Sequence, residues 1–167
     1  MKLIRTFAIT SKEFYDYLEN ALMEEIAKNT NKKPKRTSIK KGFTYENKNA
    51  KSKIVIDEYV RGHSYQSTVR SATSFIHVRY ETEETEEGLK ISFEQVMSGD
   101  EDIPNKNVLY RTWYNWITFG RMSHTLYDMR DAIIKIRNGE SPQNTSMSYD
   151  SHKRLKKYLT KKVEEQE

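Results

Sequence analysis

Consecutive segments between residues 39 and 97 alternate apolar and polar side chains, with short connectors between them. The clearest are KIVIDEYVRG (53–62), HSYQSTVRS (63–71), SFIHVRYE (74–81) and GLKISFEQVM (88–97). A period of two is typical of strands with one buried face, and short connectors between neighbouring strands form hairpins. The pattern therefore predicts an antiparallel meander of five strands, the first of which lies around residues 39–46.

The first thirty residues add a strand and a helix. The strand covers residues 2–9, with Leu3, Phe7 and Ile9 on one face. Thr10 and Glu13 have the spacing of a capping box, in which each side chain binds a backbone N–H at the start of a helix. Apolar residues then follow at three- and four-residue spacing: Phe14, Tyr17, Leu18, Ala21, Leu22 and Ile26. This stripe predicts an amphipathic helix that ends near residues 29–31.

Residues 107–138 carry a second helical pattern, which holds both tryptophans of the chain. Its apolar positions are Leu109, Trp113, Trp116, Phe119, Met122, Leu126, Met129, Ile133 and Ile136. Asn138 and Gly139 form a stop signal. An antiparallel sheet with one apolar face needs a cover, so we expect this helix to pack on the sheet. Residues 1–139 are expected to form a single domain, and residues 140–167 a linker followed by a basic helix or tail.

The net charge of +5 is unevenly distributed along the chain. Basic residues cluster at 32–41 and 153–162, and glutamates at 81–87. We interpret these clusters as solvated surface rather than a nucleic-acid interface, because aromatic residues do not interleave the lysine-rich tail as single-strand binding requires. Cysteine is absent, which excludes disulfides and thiolate chemistry. No apolar run reaches the length of a membrane span, and we expect a cytoplasmic protein.

The order strand, helix, five-stranded meander and long helix is the layout of the helix-grip fold. Over residues 1 to about 138 the chain resembles the superfamily of START-type lipid-transfer domains and the birch-pollen allergen family. FAITSKEFYDYL is similar to the strand-to-helix opening of those domains. IKKGFTYENK and IVIDEYVRG also resemble an uncharacterised bacterial family, a domain of unknown function.

The resemblance implies an α+β fold. In it, a curved antiparallel sheet of about six strands packs on the long C-terminal helix, with a cavity between them. Superfamily members usually have one more strand, and this chain adds a basic tail.

We take six side chains as the candidate lining of that cavity: Trp113, Trp116, Glu58, Tyr65, Tyr80 and Phe93. Glu58 interrupts the apolar face between Ile56 and Val60, and an inward carboxylate is costly unless paired and is often functional. The plainer alternatives are that the tryptophans fill the core and that Glu58 reaches solvent or a lysine near the strand end.

The sequence carries no catalytic or metal-binding signature that names a reaction. His63, His77, His124 and His152 lack metal-ligand spacing, and neither a glycine-rich phosphate loop nor a GxSxG elbow is present. We therefore predict no metal and no cofactor and name no catalytic residue, and an enzyme would rest on analogy of fold alone.

We favour a protein that binds a small hydrophobic or amphipathic ligand in the cavity. The alternative is a non-catalytic interaction or regulatory module, whose basic segments contact an acidic partner or nucleic acid. The oligomeric state is open, and a dimer is among the states considered.

Overall fold

The computed structural model describes residues 1–47, 51–72, 74–98 and 108–140; between 108 and 117 it describes the backbone and the Asn115 side chain. The elements in chain order are β1 (Lys2–Phe7), α1 (Ser11–Thr30), a 3-10 turn (Arg36–Ser38), β2 (Thr44–Asn47), β3 (Ser52–Val60), β4 (Ser64–Arg70), β5 (Phe75–Thr85), β6 (Gly88–Met97) and α2 (Val108–Arg137). Apart from Glu140, the predicted linker and basic tail of 140–167 lie outside the described residues.

The six strands form one antiparallel sheet in the order β1-β6-β5-β4-β3-β2. Strands β2 to β6 are a meander in which each strand pairs with the next along the chain. β1 pairs with β6 and completes the sheet. The predicted α+β class and six-stranded antiparallel sheet are confirmed.

Local signals fix both ends of α1. The Thr10 hydroxyl accepts a hydrogen bond from the Glu13 backbone N–H, and the Glu13 carboxylate accepts one from the Thr10 N–H at 2.8 Å. Asn31 ends the helix in the left-handed region, with φ of 56°, a conformation that asparagine tolerates better than most residues. Both the predicted capping box and the predicted end of the helix are confirmed.

The main core lies between one face of the sheet, called here the inner face, and the two helices. α1 contributes Phe14, Tyr15, Tyr17, Leu18 and Leu22, and α2 contributes Met122, Leu126, Met129, Ala132 and Ile133. Because α1 also packs on β2, β5 and α2, it shares with α2 the cover that we expected from the C-terminal helix.

Among the side chains of the predicted α2 stripe that the structure describes, two are not in the core. Phe119 is exposed beside β1, where the Arg5 guanidinium lies 5.5 Å from its ring centroid. Ile136 is exposed in the last turn of α2, beyond the buried Ile133. Spacing alone placed both residues on the buried face, but they lie at the margin of the contact with β1 and α1.

A β-bulge in β3 changes the predicted faces of this strand. Ile56 pairs with Ser67 but Glu58 pairs with Gln66, so Asp57 is an extra residue. Directly paired residues share a face of the sheet, and Tyr59 therefore takes the inner position opposite Tyr65. The expectation that Glu58 and Val60 continue the apolar face of Ile54 and Ile56 is wrong, since Val60 is exposed and Glu58 lies on the outer face.

Several strand limits also differ from those predicted. β1 ends at Phe7, and β2 begins at Thr44, after the 3-10 turn. β5 continues through Glu83 to Thr85, beyond the end of the predicted segment at residue 81, because Glu83 pairs with Lys90 of β6 and the two side chains form a 2.9 Å ion pair. A two-residue turn, residues 86–87, then leads to Gly88. Glycine suits this position because its φ is 123° and because a Cβ there would lie 2.1 Å from the Phe7 carbonyl oxygen.

Candidate functional site

A row of aromatic side chains crosses the inner face of the sheet from β3 to β6. Tyr59, Tyr65, Tyr80 and Phe93 are consecutive cross-strand partners. The rings of Tyr80 and Phe93 stack with centroids 4.6 Å apart, and those of Tyr65 and Tyr80 lie 6.3 Å apart. The structure thus brings together three of the six candidate residues, Tyr65, Tyr80 and Phe93, and all three are buried.

Burial also governs the ionisation of these tyrosines. Removal of the phenol from water raises the pKa of both Tyr65 and Tyr80 well above the usual range. On α1, desolvation raises the pKa of Tyr15 to about 12, partly offset by the hydrogen bond between its hydroxyl and that of Thr82 at 3.1 Å. All three phenols therefore remain neutral at physiological pH.

Beside the aromatic row, part of the inner face is less completely covered. Ile26 of α1 packs with Ile54, and Val69 packs against this cluster. The neighbouring positions on β5 and β6, called here the β5–β6 strip, are Ile76, Val78, Gln95 and Met97. Ile76 pairs directly with Met97, and Val78 with Gln95. All four side chains are only partly buried.

The remaining three candidates are not part of the aromatic row. Trp113 and Trp116 belong to α2, but their side chains lie outside the described residues, so their place in a cavity stays a prediction. Glu58 shares the outer face with Gln66, and its carboxylate accepts a hydrogen bond from the Ser64 hydroxyl at 2.5 Å. Glu58 is half-buried, so it also meets solvent, as the plainer alternative proposed.

The structure also contains an open cleft of about 780 Å³, called here the α1 cleft. Its walls come from α1, from the 3-10 turn and the residues that follow, from the end of β3, and from the last turn of α2. The lining side chains are Lys12, Asp16, Glu19, Asn20, Arg36, Thr37, Ile39, Tyr59, Arg61 and Ile136.

Glu19 is the most deeply placed charge of the α1 cleft, with its side chain only 4% exposed. It accepts a hydrogen bond from the Tyr59 hydroxyl. Its Oε2 atom lies 2.5 Å from Arg61 Nη1 and 3.1 Å from Arg36 Nε, although the angles there do not satisfy hydrogen-bond geometry. Desolvation and Glu19 together raise the pKa of Tyr59, and the nearby carboxylates of Glu19 and Asp16 raise the pKa of Arg61.

Asp16 completes the cluster one helical turn before Glu19. Its Oδ1 atom accepts hydrogen bonds from Arg61 Nη2 at 2.7 Å and from Arg36 Nη1 at 3.1 Å, and Lys12 Nζ donates to Oδ2 at 2.8 Å. Hydrogen bonding from Lys12, followed by that from Arg61, lowers the pKa of Asp16 to about 2 despite partial burial. Two guanidinium groups are thus held side by side by shared carboxylates.

Sequence reasoning did not identify the α1 cleft, although one signal was present. Glu19 lies four residues after Tyr15 and three before Leu22, which places it on the buried face of α1. A buried carboxylate requires a cation or several donors, so a basic partner could have been predicted. The choice of Arg36 and Arg61 could not, since both meet Glu19 only through the tertiary fold.

A second polar cluster lies on the outer face of the sheet. The Thr68 hydroxyl donates to Asp57 Oδ2 at 2.6 Å and lies 3.0 Å from His77 Nδ1.

Across the parts of the chain that the structure describes, no three His, Asp or Glu side chains are arranged to hold a metal ion. Within the same parts, neither helix is long and apolar enough to cross a membrane.

Comparison with known proteins identifies a family for the chain. No curated protein and no solved structure matches the chain significantly. The model of the family described as Domain of unknown function (DUF3284) matches residues 1–115, which include β1, α1, the whole meander and the start of α2. Because this match covers more than half of the sequence, the chain belongs to the DUF3284 family.

Proposed function

We propose that the protein binds a small hydrophobic or amphipathic molecule between the β5–β6 strip and the N-terminal half of α2. The observation that carries the proposal is the incomplete cover of one part of the inner face. The stacked rings of Tyr80 and Phe93 are buried. Val78 and Ile76, which precede Tyr80 on the same face of β5, retain exposed apolar surface, and burial of such surface favours binding of an apolar ligand.

The polar residues among these apolar ones favour an amphipathic ligand. Gln95 lies opposite Val78, and Ser67 lies on the other side of Val78. Ligand pockets are mostly apolar and contain a few polar groups that orient the ligand. The sequence pattern predicts that Trp113 and Trp116 face the sheet from α2, and two indoles there would supply the opposite wall.

The proposal has two further parts. The first is a relationship to the helix-grip superfamily, which the element order supports. The second is the cytoplasmic location predicted from the sequence. The alternative, a regulatory module whose basic segments contact an acidic partner or nucleic acid, stays a prediction, because the basic cluster at 153–162 lies outside the described residues.

The proposal predicts that tryptophan fluorescence changes saturably when a medium-chain fatty acid is added, with one ligand per chain. Val78→Phe should fill the space and weaken binding by about tenfold or more, the effect of losing about 1.4 kcal/mol. Val96→Phe is the matched control, because Val96 pairs with His77 on the outer face. Circular dichroism would show that both variants fold. Equal binding by the two variants, or no saturable response of the native chain, would contradict the proposal.

A further inference from the structure

We propose that the α1 cleft is a separate binding site for a small oxyanion, a carboxylate or a phosphate monoester, that carries a compact apolar group. This inference is independent of the ligand proposed for the inner face. The cleft volume of about 780 Å³ falls within the range of small-molecule sites, roughly 300–1,000 Å³.

The arrangement of charges by depth favours an anion. Three cations, Lys12, Arg36 and Arg61, line the cleft with two carboxylates, Asp16 and Glu19. The carboxylates are the deeper groups, with side chains 28% and 4% exposed, whereas the cations are between 39% and 81% exposed. A ligand that enters from solvent therefore meets guanidinium and ammonium groups first.

The two guanidinium groups are already ordered for such a ligand. Asp16 Oδ1 bridges Arg36 and Arg61, and Asn20 Oδ1 accepts a further hydrogen bond from Arg36 at 3.0 Å. A guanidinium carries five N–H donors in a fixed planar fork that matches carboxylate and phosphate oxygens. Since the carboxylates hold these side chains in place, less side-chain entropy is lost when an anion binds.

The apolar part of the ligand is suggested by the apolar side chains that line the same cleft. Ile136 of α2 is exposed although its helical neighbour Ile133 is buried, and it lines the cleft with Ile39 and Tyr59. An anion with a small hydrocarbon body could contact both the guanidinium groups and these side chains. Inorganic phosphate, which has no such body, should bind more weakly.

The test is an NMR titration of the full chain, in which the Arg Nε–H and Trp indole N–H signals report on the two sites separately. The probes are benzoate, phenyl phosphate and inorganic phosphate, with benzylamine as the cationic control. We expect the Arg36 and Arg61 signals to shift with saturation below about 10 mM for at least one aromatic anion. The aromatic anion that binds more tightly, benzoate or phenyl phosphate, identifies the preferred head group as a carboxylate or a phosphate. The indole signals test the other proposal, which predicts that the tryptophans face the sheet.

Two surface variants with the same change of net charge locate the effect. Lys12→Glu reverses the charge excess in the cleft and should weaken anion binding by about fivefold or more, as expected for loss of a charge-assisted contact. Lys53→Glu, six residues before Tyr59 on β3 and so about 20 Å away, should change it less than about twofold. Ile136→Ser should weaken binding of phenyl phosphate but not of inorganic phosphate.

Three results would overturn the inference. One is the absence of saturation of the arginine signals by either aromatic anion. Another is a response to benzylamine as strong as that to the anions. The third is an equal loss of affinity in the Lys12→Glu and Lys53→Glu variants, which would indicate attraction by the overall charge rather than a site. Both lysines are exposed, so both variants are expected to fold.

Discussion

At the scale of single residues, the carboxylate of Glu19 connects parts of the chain that are distant in sequence. It lies on α1 and contacts Arg36 of the 3-10 turn together with Tyr59 and Arg61 at the end of β3. A buried ion pair contributes little net stability compared with apolar residues of the same volume, but removal of one partner leaves an uncompensated charge. Glu19 therefore matters to stability chiefly through the charges that it neutralises.

This role predicts a large difference between two nearly isosteric substitutions. Glu19→Gln should lower the free energy of unfolding by about 3 kcal/mol, the lower end of the range for breaking a buried pair, because both arginines can still reach water. Tyr59→Phe removes one hydrogen bond to a charged group and should cost about 1.5–2 kcal/mol. Urea unfolding followed by circular dichroism measures both values. A smaller loss of unfolding free energy for Glu19→Gln than for Tyr59→Phe would show that neutralising the two arginines is not the main role of Glu19.

At the scale of elements, two features stabilise α1: the cap at its N-terminus and the apolar face that it buries in the core. Thr10→Ala should cost about 1 kcal/mol, because it removes the side-chain cap. Leu18→Ala should cost about 2–5 kcal/mol, because Leu18 is fully buried and a cavity would remain. Thermal or urea unfolding of the two variants compares these values. Equal losses would mean that the core around Leu18 closes over the cavity or that the cap matters more than its geometry suggests.

The same element shows why part of the fold could be predicted from the sequence. The cap at Thr10, the apolar stripe and the end at Asn31 are local signals, and each depends on residues no more than four positions apart. The meander was predictable for the same reason, since alternation and short connectors are local. The bulge at Asp57 was not, because an extra residue in β3 is defined only by the register with β4.

The bulge also explains the errors at the candidate site. A pattern of period two assigns Glu58 to the inner face. The inserted residue shifts the alternation by one position, so Tyr59 lies on the inner face and Glu58 on the outer face. The sequence did place Tyr65, Tyr80 and Phe93 on the apolar faces of their strands, since the alternation in β4, β5 and β6 is unbroken. The α1 cleft was missed because its two arginines come from segments 17 and 42 residues after Glu19, and spacing carries no information about such contacts.

At the scale of the whole molecule, an ion pair joins the end of α2 to the start of α1. Arg137 Nε and Nη2 donate to the two oxygens of Glu13, each at 2.7 Å, and Nη2 also donates to the Ala8 carbonyl at 3.0 Å. The pair spans 124 positions of the sequence. It lies beside the α1 capping box, so the Glu13 carboxylate serves both the helix start and the contact between the helices.

The ion pair predicts how the stability of the whole fold depends on pH. Hydrogen bonding from Arg137, with further help from Thr10 and against partial burial, lowers the pKa of Glu13 from 4.5 to about 2, and Asp16 is shifted in the same direction. Because the pKa is lower in the folded state, this contribution is fully present above about pH 4.5 and is lost as the pH falls towards 2. Urea unfolding at pH 7, 4 and 2.5 should show that loss.

Arg137→Gln should reduce the loss of stability between pH 7 and pH 2.5, since Glu13 then titrates closer to its unfolded value and less of its contribution remains to be lost. Lys135→Gln is the matched control, because Lys135 is an exposed cation in the same last turn of α2. It changes the net charge and the interaction with the helix dipole in the same way. The acid loss in this control should stay close to that of the unmodified chain. If Arg137→Gln retained the full acid loss as well, the pH dependence would have to come from carboxylates other than Glu13, with Asp16 the next to test.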